Sequence, residues 1–160
     1  MWLADETFRT VVASTPLVAI DLLVRLPDGS LLLGKRANPP AQGYWFVPGG
    51  RVQKNEPLDS AFRRLTETEL GVPLPRSDAR LLGVYQHFYA DSIFGQSPDT
   101  HYVVMAYVVD IDSQESLQLP VTQHDAFLWK LPENLLGHSG VHPYTRDYLP
   151  ALAHLPSKGL

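Results

Sequence analysis

The fold is decided by the stretch Gly49-Gly50-Arg51-Val52-Gln53-Lys54-Asn55-Glu56, which continues through Arg64 to Glu69-Leu70-Gly71-Val72. Its order predicts a short strand, a glycine loop and then a helix that carries a metal-binding acid. Taken alone, a double glycine is more often just a turn. Before a helix it also lets the backbone come close to an oxyanion-bearing ligand, because no side chain obstructs the approach. The stretch therefore predicts a ligand site at a junction between loop and helix.

The apolar spacing after this loop predicts a helix over residues 57–70. One face carries the apolar residues Leu58, Ala61, Phe62 and Leu65, with Pro57 in the first turn and Gly71 as the stop signal. At ~100° per residue, Glu69 falls on that same apolar face. A buried unpaired carboxylate is costly, so Glu69 needs a cation as partner, unless it reaches water from the helix end. Glu56 lies on the opposite side and is placed to brace the helix start through Arg64.

The rest of the chain predicts a sheet with helices around it. A short helix is predicted over residues 4–13 and a last helix over 143–152, with a helical turn at 132–136. Strands are predicted over 17–26, 30–34, 44–47, 80–89, 101–109 and 126–130, with a hairpin turn at Pro27-Asp28-Gly29. The predicted fold is α+β, an α/β sandwich with a mixed central sheet, and residues 1–160 are expected to form a single domain.

Composition narrows the function classes. The chain has 160 residues, 44% of them hydrophobic and 19% charged, which is enough for one core. A net charge of −4 gives no basic surface for nucleic acid or an anionic membrane. The absence of cysteine excludes disulfides and thiolate chemistry. Acids near the N-terminus and the lack of a long apolar run favour a cytoplasmic location.

The register of Gly50, Glu56, Arg64, Glu69 and Gly71 resembles the box of the Nudix hydrolases, Gly-x5-Glu-x7-Arg-Glu-U-x-Glu-Glu-x-Gly-U, where U is apolar. The chain has Leu65 and Thr68 where that pattern has glutamates. Further segments resemble the GDP-mannose mannosyl hydrolases, an atypical Nudix branch. These are Gly34-Lys35-Arg36, the run from Gly43 to Val52, Gln86-His87-Phe88-Tyr89, His101-Tyr102-Val103-Val104 and Gln123-His124-Asp125.

This resemblance implies the Nudix fold and one Mg²⁺ per subunit, with Mn²⁺ as a possible replacement. The implied protein ligands are the backbone carbonyl of Gly49, the carboxylate of Glu69 and the side-chain carbonyl of Gln123. Mg²⁺ prefers such hard oxygen ligands and keeps substrate phosphates in its shell. The glutamates missing at positions 65 and 68 remove candidates for activating water beside phosphorus.

The resemblance also implies hydrolysis of GDP-mannose, and as a second substrate GDP-glucose, to GDP and the free sugar with inversion at C1. His124 is the implied general base, and Asp21 binds the sugar or stabilises positive charge at its carbon. Arg36, Arg51 and Tyr102 are implied to contact the departing diphosphate.

Arg64 is implied to join this phosphate group, although a position in the box also suits a structural role. Relatives in this branch are homodimers, so a homodimer that binds a nucleotide sugar is expected here.

Two other readings of the sequence stay open. The first is a Nudix hydrolase that attacks phosphorus and releases GMP and a sugar phosphate. The second is a domain without catalysis that senses a nucleotide sugar, which would also explain a depleted box. The retained Gly49, Glu69, Gln123 and His124 favour an enzyme.

Overall fold

Four strands precede the longest described helix along the chain, and three strands follow it. The computed structural model describes residues 2–120 and 124–157, with only the backbone of residues 124 and 125. The helices there are α1 (Asp5–Ser14), α2 (Leu58–Leu70), α3 (Pro132–Leu135), α4 (Pro143–Arg146) and α5 (Leu149–Ala153). The strands are β1 (Leu17–Arg25), β2 (Leu31–Arg36), β3 (Trp45–Phe46), β4 (Gly49–Arg51), β5 (Arg80–Tyr89), β6 (Thr100–Asp110) and β7 (His124–Lys130).

The strands form one mixed sheet, as the sequence predicts. Its main order is β3-β2-β1-β6-β5, with β4 beside β1 and β7 beside β2. The central strands β1 and β6 run parallel along the whole of β1, whereas the other pairs are antiparallel. β1 is apolar at most positions because a central parallel strand is covered on both faces.

Alternate residues of β1 enter two different cores. Ile20, Leu22 and Val24 pack with Phe62 of α2, whereas Leu23 packs with residues of the C-terminal helices. Complete burial of a side chain such as Phe62 contributes about 1.5–3 kcal/mol. The sheet therefore lies between α2 on one side and α3 to α5 on the other, which confirms the predicted α+β sandwich. No helix in residues 2–120 or 124–157 is long and apolar enough to cross a membrane.

The predicted glycine loop is wrong in one respect, because Gly49 and Gly50 belong to strand β4. Gly49 pairs with Asp21 and Gly50 with Ile20 in an antiparallel register. A Cβ atom on Gly49 would lie 2.5 Å from the carbonyl oxygen of Ile20 and 2.6 Å from Asp21 Oδ1. The close approach of β4 to β1 therefore requires glycine at position 49.

The predicted last helix over 143–152 is also corrected, since it is two short helices, α4 and α5, separated by Asp147 and Tyr148. Pro150 lies in the first turn of α5, where its missing N–H breaks no helical hydrogen bond. This break places Tyr148 between the two helices, where it is completely buried.

Gly71 ends α2 as predicted and gives a testable stability effect. Its φ of +78° is left-handed, and a Cβ atom there would overlap the backbone carbonyl of Gln118. We expect Gly71→Ala to lower the free energy of unfolding by more than about 2 kcal/mol, since backbone strain and overlap add. The matched control is Gly29→Ala, because Gly29 has a φ of +93° in open space. Urea denaturation measures both losses, and equal losses would contradict a role for the Gln118 contact.

Candidate active site

A cleft runs along β4, between α1, the first half of β1 and one face of α2. It consists of two adjoining cavities of about 90 and 620 Å³. We call them the Asp21 cavity and the α2 cavity. Their shared lining residues are Arg36, Pro40, Gly49, Gly50, Arg51 and Tyr102. The cleft thus brings together most of the site residues that the sequence predicts and the structure describes.

Glu69 lies in the last turn of α2 and lines the α2 cavity. Its side chain is only 3% exposed, and its Oε1 accepts a hydrogen bond of 3.2 Å from the backbone N–H of Gly49. The buried position of the carboxylate, predicted from helical periodicity, is confirmed, and the alternative that Glu69 reaches water is wrong. The carboxylate is therefore fixed beside β4, where it can contribute to a cation site.

Asp21 lies on the other side of Gly49 and lines the Asp21 cavity, so the alternative that it sits on a solvent-facing edge is wrong. Its Oδ2 accepts a 2.5 Å hydrogen bond from the hydroxyl of Tyr148. Burial is the main cause that raises the pKa of Asp21 to about 7; the negative charge of Glu69 acts in the same direction, whereas the hydrogen bond from Tyr148 and the positive charge of Arg36 oppose it. Two carboxylates thus face one glycine from opposite sides.

The two departures from the Nudix box have different structural consequences. Leu65 is buried, and its Cδ2 occupies the space that a Cβ on Gly50 would need. Thr68 is exposed at the wall of the α2 cavity. Where residues are described, no three His, Cys, Asp or Glu side chains come together to hold a metal ion. A cation here would therefore rely on Glu69 and on backbone or amide oxygens.

Arg36 and Arg51 line both cavities, with Tyr102 on the same wall. Arg36 Nε donates to the carbonyl oxygen of Pro40 at 2.9 Å, and the Arg51 guanidinium lies 4.2 Å from the ring centroid of Phe8 in α1. Burial raises the pKa of the Tyr102 hydroxyl, against the opposing positive charges of Arg36 and Arg51. Tyr102 is therefore a neutral donor beside two cations, which suits a phosphate.

Arg64 braces the segment that precedes α2, which is the structural role that its position in the sequence also suits. Its Nε and Nη2 donate to the two oxygens of Glu56 at 2.7 and 2.9 Å, and Nη2 also donates to the carbonyl of Arg51 at 2.8 Å. Glu56 accepts the backbone N–H of Gln53 at 3.0 Å. Because Arg64 also lines the α2 cavity, its contact with phosphate stays a prediction.

Gln123 lies outside the described residues. His124 is the first residue of β7, and its backbone pairs with Arg36 of β2. This register brings the chain at His124 to the strand that carries Arg36, although its side chain is not among the described groups. Their predicted roles as metal ligand and general base stay predictions.

Tyr148 is the cleft-associated residue that the sequence does not reveal, because it reaches Asp21 from 127 positions away. His87 is a second member of this buried group, with its Nε2 at 3.4 Å from the Tyr148 hydroxyl. The sequence gives no reason to prefer His87 over the other histidines. In an apolar helical pattern near the C-terminus, a tyrosine is expected to pack in the core. Its contact with a carboxylate becomes visible only in the folded chain.

The NUDIX domain family model matches residues 15–152. The chain is 40% identical over 148 residues to the low-salt glycan biosynthesis protein Agl8 of Haloferax volcanii, covering 92% of this chain and 89% of that protein. It is 32% identical over 96 residues to an ADP-ribose pyrophosphatase of Methanocaldococcus jannaschii, covering 60% of this chain and 52% of that protein. A MutT NUDIX hydrolase from Burkholderia pseudomallei shares its fold with a TM-score of 0.70 and 31% identity, covering 87% of this chain and 99% of that one. The chain therefore belongs to the Nudix hydrolase family.

Proposed function

We propose that this Nudix hydrolase cleaves GDP-mannose, with GDP-glucose as a second candidate substrate, to GDP and the free sugar by attack of water at C1. The observation that carries the proposal is Leu65, which fills a box position with an apolar contact to Gly50. Glu69 then remains as the buried acid of α2. The identity to a protein named for glycan biosynthesis supports a substrate that contains a sugar.

The described residues fit one divalent cation, the kind of cofactor that Nudix hydrolases generally use. Glu69 is a buried carboxylate, and its Oε1 accepts a hydrogen bond from the backbone N–H of Gly49, so the carboxylate and the Gly49 backbone are adjacent. We propose that the Gly49 carbonyl, Glu69 and Gln123 hold Mg²⁺, or Mn²⁺ in its place. When bound, the ion supplies positive charge to the diphosphate of the departing GDP.

The cationic wall of the cleft stabilises the same leaving group. Departure of GDP places extra negative charge on its β-phosphate, so donors at that position bind the transition state more strongly than the substrate. Arg36, Arg51 and Tyr102 lie together on this wall, and they are the proposed donors. Arg64 reaches the neighbouring α2 cavity and is the fourth candidate.

Asp21 and His124 act at the sugar carbon, on the side of the breaking bond opposite GDP. As the bond from C1 to oxygen breaks, its electrons leave with GDP and the sugar carbon becomes positive. The Asp21 carboxylate stabilises that carbon, while His124 takes one proton from the attacking water. Attack from the face opposite GDP inverts the configuration and gives mannose.

Product identification tests the proposed function. Incubation of the protein with GDP-mannose and Mg²⁺, followed by anion-exchange chromatography, should give GDP and mannose. GMP and mannose 1-phosphate would instead establish attack at phosphorus, a second candidate favoured by the identity to an ADP-ribose pyrophosphatase. Binding without turnover at saturating Mg²⁺ would establish a nucleotide-sugar sensor.

Three further expectations belong to this proposal. The chain is expected to act as one domain over residues 1–160, as a homodimer and in the cytoplasm. Sedimentation equilibrium measures the oligomeric state, with a mass near twice 17.8 kDa expected for the dimer.

A further inference from the structure

Tyr148 reaches the cleft through two residues that line the Asp21 cavity, Asp21 and His87, and its short hydrogen bond is to Asp21. Its side chain is completely buried, and it lines neither cavity. Its hydroxyl donates to Asp21 Oδ2 at 2.5 Å. A bond from a neutral hydroxyl to a carboxylate is short and strong, and it is stronger still in a buried setting. The contact therefore fixes one of the two carboxylate oxygens.

The Tyr148 ring is itself held rigidly. It packs against the Tyr85 ring, edge to face, with 4.7 Å between centroids. Its backbone N–H donates to Thr145 at 3.3 Å and its carbonyl accepts from Leu152 at 3.0 Å, which ties it to both short helices. A hydroxyl on such an anchor has little freedom to follow a rotating carboxylate.

The other neighbour of the Tyr148 hydroxyl is His87, whose Nε2 lies 3.4 Å away. The His87 ring stacks on Tyr144 at 4.3 Å, and Tyr144 donates to the carbonyl of Phe88 at 2.8 Å. Burial lowers the pKa of His87 to about 4, so its ring is neutral at neutral pH. At this distance the neutral ring is a weak competing acceptor. The Tyr148 hydroxyl therefore keeps its hydrogen bond to Asp21.

We propose that Tyr148 is a positioning residue, which holds the Asp21 carboxylate so that Oδ1 points along Gly49 into the cleft. Oδ1 lies 2.6 Å from the place of a Cβ on Gly49, whereas Oδ2 is tied to Tyr148. The proposal rests on the proposed function, in which Asp21 stabilises the sugar carbon. Without the hydroxyl, the carboxylate turns about its χ2 angle, which has only broad minima.

Tyr148→Phe removes a single oxygen and tests this role. We expect kcat for mannose release to fall by roughly 10–10²-fold with KM nearly unchanged, because misplacement of a charge by about 1 Å has effects of this size. The matched control is Tyr85→Phe, which makes the same chemical change in the ring that packs against Tyr148 and should leave kcat unchanged. If Tyr148→Phe does not fold, 4-fluorophenylalanine at position 148 keeps the volume and removes the donor.

A double-mutant cycle separates positioning from a general structural role. In the Asp21→Asn background, Tyr148→Phe should cause no further loss of kcat, because the hydroxyl acts through the carboxylate. Equal losses in both backgrounds would overturn the proposal. If the wild type releases mannose and Tyr148→Phe has an unchanged kcat, this proposal alone is overturned. If the wild type releases no mannose, the proposed function and this proposal are overturned together.

Discussion

Replacing His124 with glutamine is expected to lower kcat for mannose release by roughly 10²–10⁴-fold, the usual range for a lost general base. Glutamine keeps a similar size and polarity but takes no proton from water at neutral pH. Affinity for GDP should change little, because the proposed donors to the leaving group are Arg36, Arg51 and Tyr102, which line the cleft wall. Steady-state kinetics with GDP-mannose and calorimetric titration with GDP measure the two effects.

His101→Gln is the matched control for this variant. His101 stacks on Phe88 at 4.4 Å on the strand that carries Tyr102, but it lines neither cavity of the cleft. Its replacement should leave kcat unchanged. A small loss of kcat for His124→Gln combined with a rise in KM would assign His124 to substrate binding and would contradict its role as base.

Glu69→Gln is the second variant with a large expected effect, a loss of roughly 10²–10³-fold in kcat/KM at fixed Mg²⁺. The amide keeps the shape of the side chain and an oxygen beside the Gly49 N–H, but it loses the charge that attracts a cation. The half-saturating Mg²⁺ concentration should rise as well. Activity over a range of Mg²⁺ concentrations measures this, and Mn²⁺ binding followed by electron paramagnetic resonance measures the site without turnover.

Glu67→Gln provides the control for Glu69, because it makes the same change on the exposed face of α2, two residues away. Neither its activity nor its Mn²⁺ binding should change. If Glu69→Gln bound Mn²⁺ as tightly as the wild type, the cation site would have to lie elsewhere.

Long periodic elements are predicted well from this sequence. The helix expected over 57–70 is α2, Leu58–Leu70, because its apolar face, Pro57 and Gly71 all indicate the same limits. The strand expected over 80–89 has the bounds Arg80–Tyr89. Burial of Glu69 follows from the same helical periodicity. In these elements local propensity and tertiary packing agree.

Features that depend on contacts between distant segments are not predicted. Glycines have low strand propensity, so Gly49 and Gly50 indicate a loop, whereas close pairing with Ile20 and Asp21 makes them a strand. Tyr148 has no local sign of its role, since its position opposite Asp21 depends on the break between α4 and α5. The Nudix box predicts where a cation belongs, but not which buried group orients the neighbouring acid.

Hydrolysis of GDP-mannose in ¹⁸O-labelled water, with mass spectrometry of the products, tests the central claim most directly. Attack at the sugar carbon transfers the label to mannose and leaves GDP unlabelled. GDP is the decisive product, because its phosphate oxygens do not exchange with water under the assay conditions, whereas the free sugar slowly exchanges its anomeric oxygen. Unlabelled GDP beside labelled mannose is the predicted result, and ¹⁸O in the β-phosphate of GDP or in GMP would contradict it.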